Sequence, residues 1–136
     1  MKKIKQGDTY ELATRFTQEQ VNAFAACSLD NNPIHINPEY AAKTPFGKPI
    51  VHGFFAGAVF SRVFGTMWPG DGTIYMSQQM SFRAPVFVEN DYIAKFEVLE
   101  ADAVKHRGLI KTTLVEKATG KEVITGEAKL MHTERF

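Results

Sequence analysis

The chain is poor in the features that announce many protein classes. Among its 136 residues there is one cysteine, Cys27, so no internal disulfide can form, and a reducing compartment is expected. Sixteen basic against fifteen acidic residues leave a net charge of +1, which gives no electrostatic case for nucleic acid or an anionic membrane as partner. The longest apolar run, Ile50 to Met67, is interrupted by His52, Ser61, Arg62 and three glycines, and reads as a buried helix rather than a membrane span. The N-terminal lysines are followed by no apolar run, so a signal peptide is not expected and a cytoplasmic location is. No glycine-rich phosphate loop occurs. Ser61 lacks the G-x-S-x-G surroundings of an activated serine and reads as a small core residue bonding back to a helix carbonyl. His35, His52, His106 and His132 do not have metal-site spacing, and Cys27 has no cysteine partner, so no metal is expected. Cys27 itself reads as a core residue on an apolar helix face.

What is present describes one domain, residues 1–136, large enough to bury its own core. Thr9 to Phe16 alternates as a first strand. Thr17-Gln-Glu-Gln20 matches a capping box and opens a short helix with Val21, Phe24, Ala25 and Leu29 on one face. Asn37 and Pro38 open another, to Lys43. From about Ile50 to Thr66 comes a helix apolar nearly all round, hence buried on most faces. Its Gly53, Gly57, Ser61 and Gly65 recur every fourth residue, a stripe that permits close approach. Thereafter Thr73–Phe82, Asp91–Leu99, Gly108–Lys117 and Glu122–His132 read as strands, with a hairpin turn at Thr119-Gly-Lys121. The expected class is α+β, an antiparallel sheet wrapped around a long central helix.

One stretch fits neither periodicity. Ser28-Leu-Asp-Asn-Asn-Pro-Ile-His-Ile-Asn-Pro-Glu-Tyr40 brings an acid, amides, prolines and an imidazole together. Asp30 and His35 form an acid–imidazole pair able to hold a water and move protons, since imidazole titrates near neutrality. The competing reading is an Asx-rich turn with a packed histidine. A second feature, Val51-His-Gly-Phe54, lies where the buried helix begins. Unpaired N–H groups at a helix N-terminus favour developing negative charge, which makes the Gly53 N–H a candidate oxyanion donor. His52 beside it reads equally as a core or capping residue. Arg83, Lys43 and Lys48 are cations that suit either phosphate contact or plain solvation.

Asp30-Asn-Asn-Pro-Ile-His35 followed by Ala41, with Pro49-Ile-Val-His-Gly53 and Ser81-Phe-Arg-Ala-Pro-Val86, resembles the MaoC-like (R)-specific enoyl-CoA hydratases, in particular the small single-domain type of polyhydroxyalkanoate synthesis. The resemblance covers nearly the whole chain. It implies a hot-dog fold and a homodimer whose sheets join edge to edge. It implies syn addition of water to a trans-2-enoyl-CoA, giving the (R)-3-hydroxyacyl-CoA, with Asp30 and His35 as the catalytic pair and Gly53 as oxyanion donor. CoA is then part of the substrate, and no cofactor is needed. Asn32 would support the loop, and Ser61 and Phe64 resemble positions lining the acyl tunnel, where a phenylalanine would favour short chains. Leu29 departs from the broad signature, which has glycine before the aspartate. Related alternatives are a dehydratase of hydroxyacyl carrier protein, a hot-dog thioesterase, and a non-enzymatic acyl-CoA-binding dimerisation module.

Overall fold

A computed structural model describes all residues, Met1–Phe136. Strand β1 (Thr9–Arg15) leads to α1 (Gln18–Ser28), two short helices α2 (Pro33–Ile36) and α3 (Pro38–Ala42), and the long α4 (Gly53–Thr66). Four strands follow: β2 (Ile74–Phe82), β3 (Asp91–Asp102), β4 (Arg107–Glu116) and β5 (Glu122–Met131). All five strands make one antiparallel sheet in the order β1-β3-β4-β5-β2, which leaves β1 and β2 as edges.

Side-chain alternation explains which face of the sheet meets the helix. Along β3, Tyr92, Ala94, Phe96 and Val98 point inward and are buried, while Lys95 and Glu97 point to solvent. The inward residues of β3, β4 and β5 join Val59, Phe60, Val63 and Phe64 of α4 in a continuous core. Phe60 is fully enclosed and meets Phe96 edge-on at 5.8 Å. Truncating such a residue to alanine costs about 3–5 kcal/mol. The helix is thus sheathed by the sheet, as its composition implies, but not on every side. Phe54, Ala58, Ser61, Arg62 and Gly65 are exposed.

The small-residue stripe serves close packing at one end of α4 only. A Cβ on Gly53 would stand 2.8 Å from the Phe82 ring, and one on Gly57 would stand 2.6 Å from the Met80 sulfur, whereas Gly65 faces open space. Two glycines therefore let the first turns of α4 lie against β2.

Three expectations need correction. Residues 50–52 are not helical: Ile50 and Val51 send their N–H groups to Ile34 and Val86, so they run as a strut and α4 begins at Gly53. Cys27 is exposed, because Val21 and Ala25 mark the buried face of α1 and Cys27 lies on the opposite side. Leu29 is exposed as well and ends α1 in the left-handed region, with φ 65° and ψ 11°. The capping box of α1 is present in both directions, Gln20 N–H to Thr17 Oγ1 at 3.1 Å and Thr17 N–H to Gln20 Oε1 at 3.0 Å.

Leu29 is a branched side chain in a conformation that costs an L-residue about 1–2 kcal/mol, against about 0.5–1 kcal/mol for the extra freedom of glycine in the unfolded chain. Leu29→Gly should therefore stabilise the fold by about 0.5–1 kcal/mol and raise Tm by about 2–4 °C in a thermal melt, while Leu29→Ala should bring no comparable gain.

Candidate active site

Two Asn-Pro pairs build the loop that carries the acid and the imidazole. Asn32 accepts the Ile34 N–H on its side chain at 3.2 Å with Pro33 at the first helical position, making α2 a single turn. Asn37 repeats the device for α3, accepting the N–H groups of Glu39 and Tyr40. The second pair is legible as a helix start in the sequence; the first carries the same signal but is masked by its reading as an Asx turn. His35 sits on α2, buried. Asp30 lies on the preceding turn, its carboxylate accepting the Asn32 N–H at 3.3 Å.

The fold brings Asp30, His35 and His52 together, with the carboxylate and one nitrogen of each imidazole all within 4.8 Å of one another. His35 Nδ1 lies 2.8 Å from the Ile50 carbonyl. A carbonyl only accepts, so Nδ1 carries the proton and Nε2 keeps a free lone pair. Burial pulls the His35 pKa below 6.5; the Ile50 carbonyl opposes this, the neighbouring His52 adds to it, and Asp30 opposes it more weakly. The shift favours the neutral ring, the form able to accept a proton.

His52 is buried at the N-cap of α4, yet its side chain caps nothing. Its Nε2 donates to the Asp30 carbonyl at 3.1 Å, and its ring stacks on His35 with centroids 3.9 Å apart and planes 28° from parallel. The residue types Asp, His, His suit a divalent metal, and the fold joins two histidines that sequence spacing keeps apart. The His52 Nε2 of this group is engaged with the Asp30 carbonyl.

Gly53 follows immediately. Its N–H, like those of the next two residues of α4, has no backbone acceptor, since the first bond of the helix runs from Ala56 to His52. Packing against Phe82 accounts for the missing side chain; the free N–H is a separate fact, and a positive helix end adds to it.

These groups border one cavity of about 470 Å³. Asp30, His35, His52 and Gly53 stand on one side, with Phe54, Phe82, Val86 and Ile124 supplying an apolar wall and Arg83 a cation. Few polar groups converging on an apolar hollow is the usual form of a small-molecule site. A hollow of about 370 Å³ on the outer sheet face, edged by Glu11, Lys95, Glu97 and Lys111, has no such pair. Ser61 and Phe64 do not line the site. Ser61 is exposed on α4, and Phe64 is enclosed in the core between Phe96 at 5.1 Å and Tyr75 at 5.4 Å. The short-chain expectation built on Phe64 thus finds no support in the cavity wall. Asn32 is exposed and acts on the backbone of α2 instead of lining the hollow. Phe54 and Phe82 join the site with no sequence signal beyond the place of Phe54 next to Gly53 and of Phe82 at the end of β2.

An antiparallel sheet around one helix, with an acid–imidazole pair facing that helix's N-terminus, defines a hot-dog protein with the furniture of a hydro-lyase. Residues 2–122 match the MaoC like domain. The chain is 39% identical over 125 residues to the (R)-specific enoyl-CoA hydratase of Aeromonas caviae, covering 92% of this chain and 92% of that one. The solved (R)-hydratase from A. caviae involved in PHA biosynthesis superposes with a TM-score of 0.89 at 38% identity, over 94% of this chain and 96% of that chain. The unliganded R-hydratase PhaJ1 from Pseudomonas aeruginosa does so with a TM-score of 0.90 at 37% identity, over 97% and 84%. The chain belongs to the MaoC-like domain family.

If burial dominates the His35 environment, its ring protons should titrate in NMR with a midpoint below 6.5, and the protein should lose stability as pH falls from 6.5 through that midpoint, because the unfolded chain takes up the proton first. A midpoint at or above 6.5 contradicts the neutral-base assignment.

Proposed function

We propose that this protein is an (R)-specific enoyl-CoA hydratase, adding water reversibly to a trans-2-enoyl-CoA. The observation that carries the reading is the meeting of three groups on one cavity: the Asp30 carboxylate, the His35 lone pair and the unbonded Gly53 N–H. The relatives named (R)-specific enoyl-CoA hydratase support the same chemistry and the handedness of the product.

Asp30 and His35 hold a water between them. As its oxygen attacks the β-carbon, the pair takes up one water proton, and the electron pair of the carbon–carbon double bond moves through the α-carbon onto the thioester oxygen. The Gly53 N–H and the α4 dipole stabilise that enolate; a single donor of this kind is worth about 2.7–4 kcal/mol in other enzymes. The α-carbon then receives a proton from the pair and the carbonyl re-forms, leaving the 3-hydroxyacyl thioester. Atoms balance without a metal or organic cofactor, and CoA stays on the substrate. Asn32 acts by holding α2 in register behind His35.

The reading includes a homodimer. The edge strand β2 carries Ile74, Tyr75, Met76 and Phe82 exposed, and Phe54 of α4 continues the patch at 73% exposure. An edge of this kind with an apolar face is a pairing surface. Free, exposed Cys27 fits the cytoplasm, where an unpaired thiol is kept reduced.

Asp30→Asn and His35→Gln should each lower kcat for crotonyl-CoA about 10²–10⁴-fold while leaving the circular dichroism spectrum unchanged. The assay is loss of enoyl-thioester absorbance with chiral analysis of the product, and wild-type activity in either variant, or an (S) product, rejects the reading. Met76→Lys sets two like charges near each other across a two-fold β2 edge and should shift sedimentation toward the monomer; an unchanged dimer would move the interface elsewhere.

A further inference from the structure

We infer that His52 is a positioning residue, holding the Asp30 backbone and the His35 ring in the relation that water activation requires. The inference rests on the hydratase reading for its kinetics and on geometry alone for the rest.

Each part of the His52 ring is accounted for, and one part is badly served. Nε2–H donates to the Asp30 carbonyl at 3.1 Å, which fixes the tautomer, because a carbonyl cannot donate. That leaves Nδ1 as an enclosed lone pair with no hydrogen-bond partner. The ring rests on His35 at 3.9 Å and meets Phe24 at 4.7 Å. The slot is aromatic, and a phenylalanine would fill it without stranding a buried acceptor. The side chain does not cap α4 either. Neither packing nor capping calls for an imidazole here; the bond to Asp30 does.

Its consequence is geometric. Asp30 is exposed, and its carboxylate is held only by the Asn32 N–H. The Asp30 carbonyl is tied to His52, so the backbone origin of that carboxylate is referenced to the same ring that backs His35. The peptide following His52 bears the Gly53 N–H. One residue thus sets the spacing of acid, imidazole and oxyanion donor. Misplacement of reacting groups by about 1 Å is enough to cost about 10²-fold in rate.

The test compares His52→Phe, which keeps the aromatic slot and loses the donor, with His52→Gln, whose amide can reach the Asp30 carbonyl. On crotonyl-CoA, His52→Phe should lose about 30-fold or more in kcat with KM within about threefold, and His52→Gln should recover to within about fivefold of wild type. Amide hydrogen exchange at Asp30 to Asn32 should accelerate in His52→Phe and return toward wild type in His52→Gln. If His52→Phe does not fold, His52→Asn, whose shorter amide stops short of the carbonyl, takes its place. Wild-type kcat and exchange in the donor-less variant, or no recovery in His52→Gln, would overturn the inference. An inactive wild-type protein would reject the hydratase reading instead, and the exchange result alone would then decide whether His52 holds the loop.

Discussion

The arrangement depends on one residue of main chain. Ile50 donates its N–H to the Ile34 carbonyl at 3.2 Å and accepts His35 Nδ1 at 2.8 Å, so it grips the single-turn helix α2 from both sides of its own Cα. The next residue, Val51, sends its N–H to Val86 at 2.7 Å and fastens the strut to the segment after β2. A helix of four residues has no stability of its own. Here it is held by the Asn32-Pro33 start, the Asn37 N–H on the Pro33 carbonyl, this strut and the Gln18 side chain, which donates to the His35 carbonyl at 3.0 Å. The segment bearing the chemistry is therefore tied down through its main chain, though neither of its short helices would stand alone.

The strut also explains how the core and the site fit together. The interior of α4 is given to the sheet through Val59, Phe60, Val63 and Phe64, which anchors the helix along its length. Its first turn is left to the cavity: Gly53 half-buried against Phe82, Phe54 largely exposed. Burial stabilises one end and frees the other for a ligand. The apolar wall formed by Phe54 and Phe82 belongs both to the cavity and to the exposed patch, so the proposed pairing of two chains would reshape the cavity entrance.

Much of this was legible before any coordinates. Local signals travelled well: the capping box at Thr17, the Asn37-Pro38 start, the alternation of β3 and the count of one strand before and four after the long helix all correspond to what is built. The class, α+β with a sheet around a helix, followed from them. What failed was non-local. Apolar residues 50–52 look helical until their backbone partners, Ile34 and Val86, are known. Cys27 looks buried because it is apolar, although i to i+4 spacing from Val21 puts Ala25, not Cys27, on the inner face. Leu29 shows no local sign of the left-handed backbone it adopts. Ser61 and Phe64 were assigned by resemblance, and their surroundings are set by which side of α4 the sheet covers.

The bond between His35 and Ile50 has a consequence for stereochemistry. With one ring nitrogen held by a carbonyl fifteen positions away, the imidazole cannot turn over or pass a proton through itself. In the proposed reaction its share of the proton traffic would pass through a single orbital, at one point beside the bound acyl chain. A fixed point of proton transfer serves the face of a planar double bond that the bound substrate turns toward it. The left- or right-handedness of the alcohol would then depend on how the acyl chain lies against a ring oriented by a peptide oxygen that never meets the substrate.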